Sequence, residues 1–121
     1  MESAYSLLIK GIELLETENP AQAALALERA KILEPEKASI REALARAYFN
    51  FGRYDLARQE FEKALVIDPT NHYAHFGLGL SLKKIGDIIG ARRHLKLAVA
   101  MEPDEVYEEA LRRVEDMSSS M

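Results

Sequence analysis

Cysteine is absent from this 121-residue chain, which excludes disulfides and thiolate chemistry. Long uncharged apolar runs are missing as well. The N-terminal stretch MESAYSLLIKGIELLE carries Glu2 and Lys10 among its leucines, a pattern that fits neither a signal peptide nor a membrane span. A soluble, cytoplasmic protein with no membrane partner is therefore expected. Charge of one sign is also in short supply, since the formal net charge is −4. It is unevenly spread. Residues 72–100 hold five basic groups and one acid, whereas residues 101–121 hold two and seven. A local basic excess of this size suits a solvated helix face and falls short of the strongly basic surface that nucleic acids require.

Groupings that carry chemistry are scarce too. His72 and His75 stand three apart on one predicted helix, but no third metal ligand accompanies them, and His94 has basic neighbours and no partner in the sequence. No serine can be matched with a histidine and an acid. Gly77-Leu78-Gly79 falls inside a helical pattern and lacks the loop that cradles phosphate. No catalytic residue, metal or cofactor is expected, and the chain reads as a non-enzyme.

What the sequence does contain is a period. Pro35, Pro69 and Pro103 are spaced 34 residues apart, and the rest follows without an insertion. Ala23, Ala57 and Ala91 align, as do Leu27, Phe61 and Leu95, and Ala30, Ala64 and Ala98. Upstream, Gly11, Ala45 and Gly79 align, with Leu14, Tyr48 and Leu82. Apolar residues three and four apart predict two helices per unit. The first runs over about 3–16, 38–50 and 72–84, and the second over about 21–33, 54–67 and 88–101. Gly52 and Gly86 close the first helix, because glycine tolerates the left-handed backbone. Asn19 is a candidate N-cap with Pro20 at the first helical position. The aligned small residues mark places where helices cross closely, and Phe61 fills the adjacent space.

The middle unit, with Leu44-Ala45-x-x-Tyr48, Ala57-x-x-x-Phe61 and Pro69, resembles the tetratricopeptide repeat, and the likeness runs from Ala4 to about Glu105. It departs from the family at the usual tryptophan, where Leu7, Arg41 and His75 stand. Lys10 occupies the place of Leu44 and Leu78, and Glu18 the place of Gly52 and Gly86. The resemblance implies an all-α, right-handed α-solenoid: one domain over 1–117 with repeats at about 4–37, 38–71 and 72–105. A capping helix would follow at about 106–117, burying a stripe of Val106, Tyr107, Ala110, Leu111 and Val114, with a disordered tail at 118–121.

The resemblance also implies a protein-binding groove. A second apolar stripe runs along the first helices: Tyr5, Leu8, Ile9, Ile12 and Leu15 in the first unit, and Tyr73, Phe76, Gly77 and Leu80 in the third. The middle unit offers Arg46, Phe49 and Asn50, while Lys83 and Lys84 close the third. Family members that bind Hsp70 or Hsp90 tails hold the terminal carboxylate with lysines, asparagines and an arginine. The matching places here are Leu8, Ile12, Ala43, Tyr73 and Gly77, so a role in binding those tails is not expected. Three readings of the stripe remain open: a groove for an apolar or amphipathic segment of another protein, a self-association surface that forms a homo-oligomer, or local packing.

Overall fold

The computed structural model describes residues 2–119. Within them the chain forms helices α1 (Ala4–Glu16), α2 (Pro20–Leu33), α3 (Ala38–Asn50), α4 (Tyr54–Ile67), α5 (His72–Ile85), α6 (Ile88–Met101) and α7 (Glu105–Ser119), and no strand. Each helix packs on the next. The odd-numbered helices also touch one another in succession, α1 on α3, α3 on α5 and α5 on α7. That second set of contacts makes the odd helices the inner wall of an all-α solenoid and leaves the even helices outside.

Small residues decide how near the helices come. A methyl added to Gly11 would lie 2.5 Å from Cγ of Leu27, and one added to Gly79 would lie 2.7 Å from Cγ of Leu95. In both hairpins the leucine of the even helix thus occupies the space a side chain would need. Ala45, Ala57, Ala64, Ala91 and Ala98 are fully buried, and Phe61 is 2% exposed. Gly77, expected in the groove stripe, is instead a core position. Its Cα faces the ring of Phe61, whose Cζ would be 2.2 Å from an added Cβ.

The helix ends show the same economy with two surprises. Gly52 (φ 85°) and Gly86 (φ 103°) take the left-handed backbone expected of them. Glu18 takes it too, with φ 60° and no glycine to relieve the Cβ clash. Asn19 precedes α2, but its side chain does not cap the helix. The Nδ2 group donates back to the carbonyl of Thr17 at 2.9 Å. By contrast Ser3 and Ser6 form a reciprocal capping box, each side chain accepting from the other's backbone N–H at 3.0 Å.

At the C-terminal end, α7 buries Tyr107 and Val114 but leaves Val106 63% exposed, so Val106 does not belong to the packed stripe. Ser118 and Ser119 continue the helix, which contradicts the expected tail at those two positions. Ser120 and Met121 lie outside the described residues.

Candidate functional site

The inner wall carries a run of packed rings at one end, two pairs tilted and one stacked. Tyr73 and Phe76, three apart on α5, lie with ring centroids 6.1 Å from one another. Phe61 from α4 approaches Tyr73 at 6.3 Å, and Tyr107 from α7 stacks on Phe76 at 4.6 Å with planes 24° apart. Tilted and stacked ring pairs of this kind favour one mutual geometry and make the surface stiff. The start of α5 is held from several sides. Asn71 caps it by accepting from the Ala74 N–H at 3.0 Å, and its Nδ2 donates to Glu42 of α3 at 2.7 Å. Nδ1 of His72 hydrogen-bonds the Tyr107 hydroxyl at 2.9 Å. Burial pushes both the Tyr73 and Tyr107 phenols above their ordinary value. Arg46 opposes that for Tyr73, and Asp104 adds to it for Tyr107. Both rings therefore stay neutral at physiological pH.

Beside this run, α5 and α7 diverge and leave a cleft of about 430 Å³. Phe76, Leu80 and Lys83 line it from α5, facing Val106, Ala110 and Arg113 of α7, with Glu105 and Glu109 at the same wall. The Arg113 charge is partly met by Glu109, whose Oε1 accepts from Nε at 3.0 Å. The α7 side of this cleft escaped sequence reasoning, because Val106 and Ala110 fit the stripe of a capping helix equally well. The exposure of Val106 settles which side it takes.

The other expected groove residues separate by burial. Leu8 is 8% exposed and belongs to the core formed by α1, α2 and α3, so it offers no groove surface. Ala43 is buried against the same core. Ile12 is half-buried at its edge, while Tyr5 (70% exposed) and Ile9 stand in solvent. Phe49 packs edge-to-face on Tyr54 at 5.1 Å, Arg46 is half-buried near Tyr73, and Asn50 is exposed. The two lysines part company. Lys83 reaches the cleft, whereas the Lys84 ammonium sits over the Tyr54 ring, 5.6 Å from its centroid. The structure thus brings Tyr73, Phe76, Leu80 and Lys83 together and leaves the α1 stripe as a separate patch.

Three polar pairs lie between packed helices, and none was foreseen. Glu60, 5% exposed, accepts from Nη1 of Arg41 at 2.8 Å and lies 3.4 Å from Nζ of Lys31. Nε of Arg41 donates to the carbonyl of Pro35 at 3.0 Å. Glu28 takes the hydroxyl hydrogen of Tyr48, whose ionisation is pushed far up, first by burial and then by that carboxylate. One repeat later, His75 stacks on His94 with centroids 5.3 Å apart, and their Nδ1 atoms are 3.1 Å from each other. His94 therefore does have a partner, one that folding brings 19 residues back. His72 and His75 turn to different neighbours and do not converge, and no group of three metal-ligating side chains gathers among the described residues.

Comparison with known proteins agrees with this geometry. Two family models, each described as a tetratricopeptide repeat, match residues 10–72 and 60–93. The chain belongs to the tetratricopeptide repeat family. No curated protein sequence matches it. Among solved structures it is similar to the first repeat domain of Spaghetti (RPAP3) bound to the HSP90 peptide SRMEEVD. The TM-score there is 0.93 at 16% identity, covering 97% of this chain and 94% of that one. It is also similar to the Sgt2 domain from Aspergillus fumigatus, with TM-score 0.91 and 20% identity over 96% and 79% of the two chains. A third is the Yersinia enterocolitica type III secretion chaperone SycD with a peptide of the translocator YopD, at TM-score 0.85 and 16% identity over 94% and 93%. At these identities the likeness concerns the fold. Among the described residues, no helix is long and apolar enough to cross a membrane.

Proposed function

We propose that the protein is a non-catalytic scaffold that holds an apolar or amphipathic segment of a partner protein against its inner wall, chiefly between α5 and α7. The observation that carries this reading is the cleft beside the Tyr73–Phe76–Tyr107 rings, where a rigid aromatic wall meets a half-open apolar space rimmed by Lys83 and Arg113. Aromatic anchors in a preformed pocket are the usual source of binding energy at protein interfaces, and rim charges set direction. Similar structures that hold peptides of partner proteins support it.

The same reading sets the groove apart from Hsp70 and Hsp90 tail binding. Of the places that hold the tail carboxylate in the family's clamp, Leu8, Ala43 and Gly77 are buried here, and Ile12 and Tyr73 carry no cation. The peptide SRMEEVD should accordingly fail to saturate the protein in a fluorescence-anisotropy titration. Phe76→Glu tests the groove itself, since a carboxylate there would have to be desolvated beneath an apolar ligand, at a cost of about 1–3 kcal/mol or more. The reading expects lost capture of a partner with unchanged circular dichroism and unchanged mass by light scattering. An unfolded variant would make the stripe core, and a dimer turned monomer would make it a self-association surface.

A further inference from the structure

All three histidines of the chain lie in the α5–α6 hairpin, and His75 and His94 fix each other's protons. The carbonyl of Pro69 can only accept, so the His75 Nε2 atom, 3.1 Å away, carries a hydrogen and donates it. In the neutral ring Nδ1 of His75 is then an acceptor, and the His94 Nδ1–H donates to it across 3.1 Å. The arrangement tolerates one additional proton. Whether that proton sits on Nε2 of His94 or is held on His75, one N–H still points at one lone pair between the rings. It does not tolerate two. With both rings cationic, two Nδ1–H groups would face each other at hydrogen-bond distance, each ring carrying like charge.

The preceding repeat shows what this site is for structurally. Counting back 34 residues, His75 corresponds to Arg41 and His94 to Glu60. Arg41 donates Nε–H to the carbonyl of Pro35, as His75 donates to Pro69, and pairs with Glu60 across the hairpin. The second repeat thus closes its hairpin with opposite charges, and the third closes the same place with two titratable rings.

We propose that the α5–α6 hairpin is a proton-sensitive end of the solenoid, closed while His75 and His94 hold at most one added proton between them and opened by the second. The surrounding groups leave this balance in place. Burial is the largest effect and holds His94 below its ordinary value; the His75 ring and Arg93 of α6 act in the same direction, and Asp87, which caps α6 by accepting from the Gly90 N–H at 2.9 Å, opposes them. At the end of α4, Asp68 is engaged by the backbone N–H and hydroxyl of Thr70, and just ahead of α7 Asp104 accepts from the N–H groups of Val106 and Tyr107. An unfolded chain protonates both rings below about pH 6.5, while the closed hairpin takes one at most. The unfolded state then binds more protons, so stability is complete above that pH and is lost as pH falls below it.

Amide hydrogen exchange between about pH 7.5 and pH 5.5 tests this, a window above the titration of ordinary carboxylates. Protection factors in α5 and α6 should fall by about tenfold per pH unit below about pH 6.5, the slope of one excluded proton, while those in α2 and α3 fall less. His75→Arg combined with His94→Glu, which installs the second repeat's pair, should flatten the dependence. His94→Gln should flatten it as well, because the amide does not titrate and can turn its oxygen to accept from a protonated His75 Nδ1–H, so that His75 can carry its proton in the closed hairpin as in the unfolded chain. That single variant decides the matter if the double one does not fold. His72→Asn should keep the slope. Equal loss in all helices, no loss in the wild type, or a slope that survives His94→Gln overturns the proposal. Any effect on a bound segment rests on the groove reading, whereas this experiment reads the hairpin without a ligand and fails or succeeds independently of it.

Discussion

Removing Glu60 should cost far more than removing any other single carboxylate of the protein, and the reason lies in what it leaves behind. The Arg41 side chain is 11% exposed and that of Glu60 7%, so neither charge has water to fall back on. Glu60→Ala would strand the Arg41 guanidinium in the α3–α4 interface, with the Pro35 carbonyl as its remaining neutral acceptor. Breaking a buried pair from one side costs about 3–5 kcal/mol. For comparison, the exposed Arg58–Glu62 pair on α4, one helical turn apart at 2.7 Å, should yield about 0.3–0.5 kcal/mol. The repeat supplies its own control. At the equivalent places the first unit has Leu7 and Ala26, both buried in one apolar core. Arg41→Leu together with Glu60→Ala should therefore recover most of the loss seen with Glu60→Ala alone, since no orphaned charge remains and Lys31 keeps Glu28 at 3.0 Å. Urea denaturation followed by far-UV circular dichroism gives the three midpoints. If the double variant is as unstable as the single one, or if Glu60→Ala costs no more than Glu62→Ala, the pair is not buried in the way described.

Two further substitutions probe the backbone and the crossings. Glu18→Gly should raise stability by about 0.5–1 kcal/mol, because relief of the left-handed Cβ clash outweighs the added freedom of the unfolded chain, and a lowered urea midpoint would contradict it. Ala57→Leu, at a fully buried crossing, should destabilise by about 1–3 kcal/mol, while Arg58→Leu next to it should lose little beyond its pair with Glu62; equal shifts would mean the helix register is misassigned.

The fold was legible because its determinants repeat in the sequence itself. Gly11 and Gly79 align with each other, and each turns out to receive a leucine from the partner helix, so periodicity and close approach are one fact seen twice. The groove was less legible. A residue's place in an apolar stripe says that it faces the inner wall, but it does not say whether the neighbouring helix covers it. Leu8 and Gly77 are covered, by the α1–α3 core and by Phe61 respectively, while Tyr5 and Val106 are bare. That distinction depends on how far adjacent hairpins splay. The splay is set by side chains on other helices, such as Phe61, whose reach into α5 no local pattern encodes.

The polar pairs were hidden for a different reason. Arg41 and His75 stand where the family usually has tryptophan, a residue that fills the hairpin and donates one N–H. Each residue here donates a hydrogen bond, through Nε of Arg41 to Pro35 and Nε2 of His75 to Pro69, and so links its helix to the turn between repeats. What neither keeps is the bulk, and the space is taken by a second polar side chain from the even helix, Glu60 or His94. In these two units the position keeps a hydrogen bond and leaves the chemistry of its partner free, whereas Leu7 and Ala26 fill the same place in the first unit with apolar groups. In a solenoid, where each unit touches mainly its neighbours, that freedom lets one repeat differ from the next in what unfolds it without altering the path of the chain. Arg41 with Glu60 makes the middle hairpin depend on opposite charges, whereas His75 with His94 makes the third depend on the absence of a second proton.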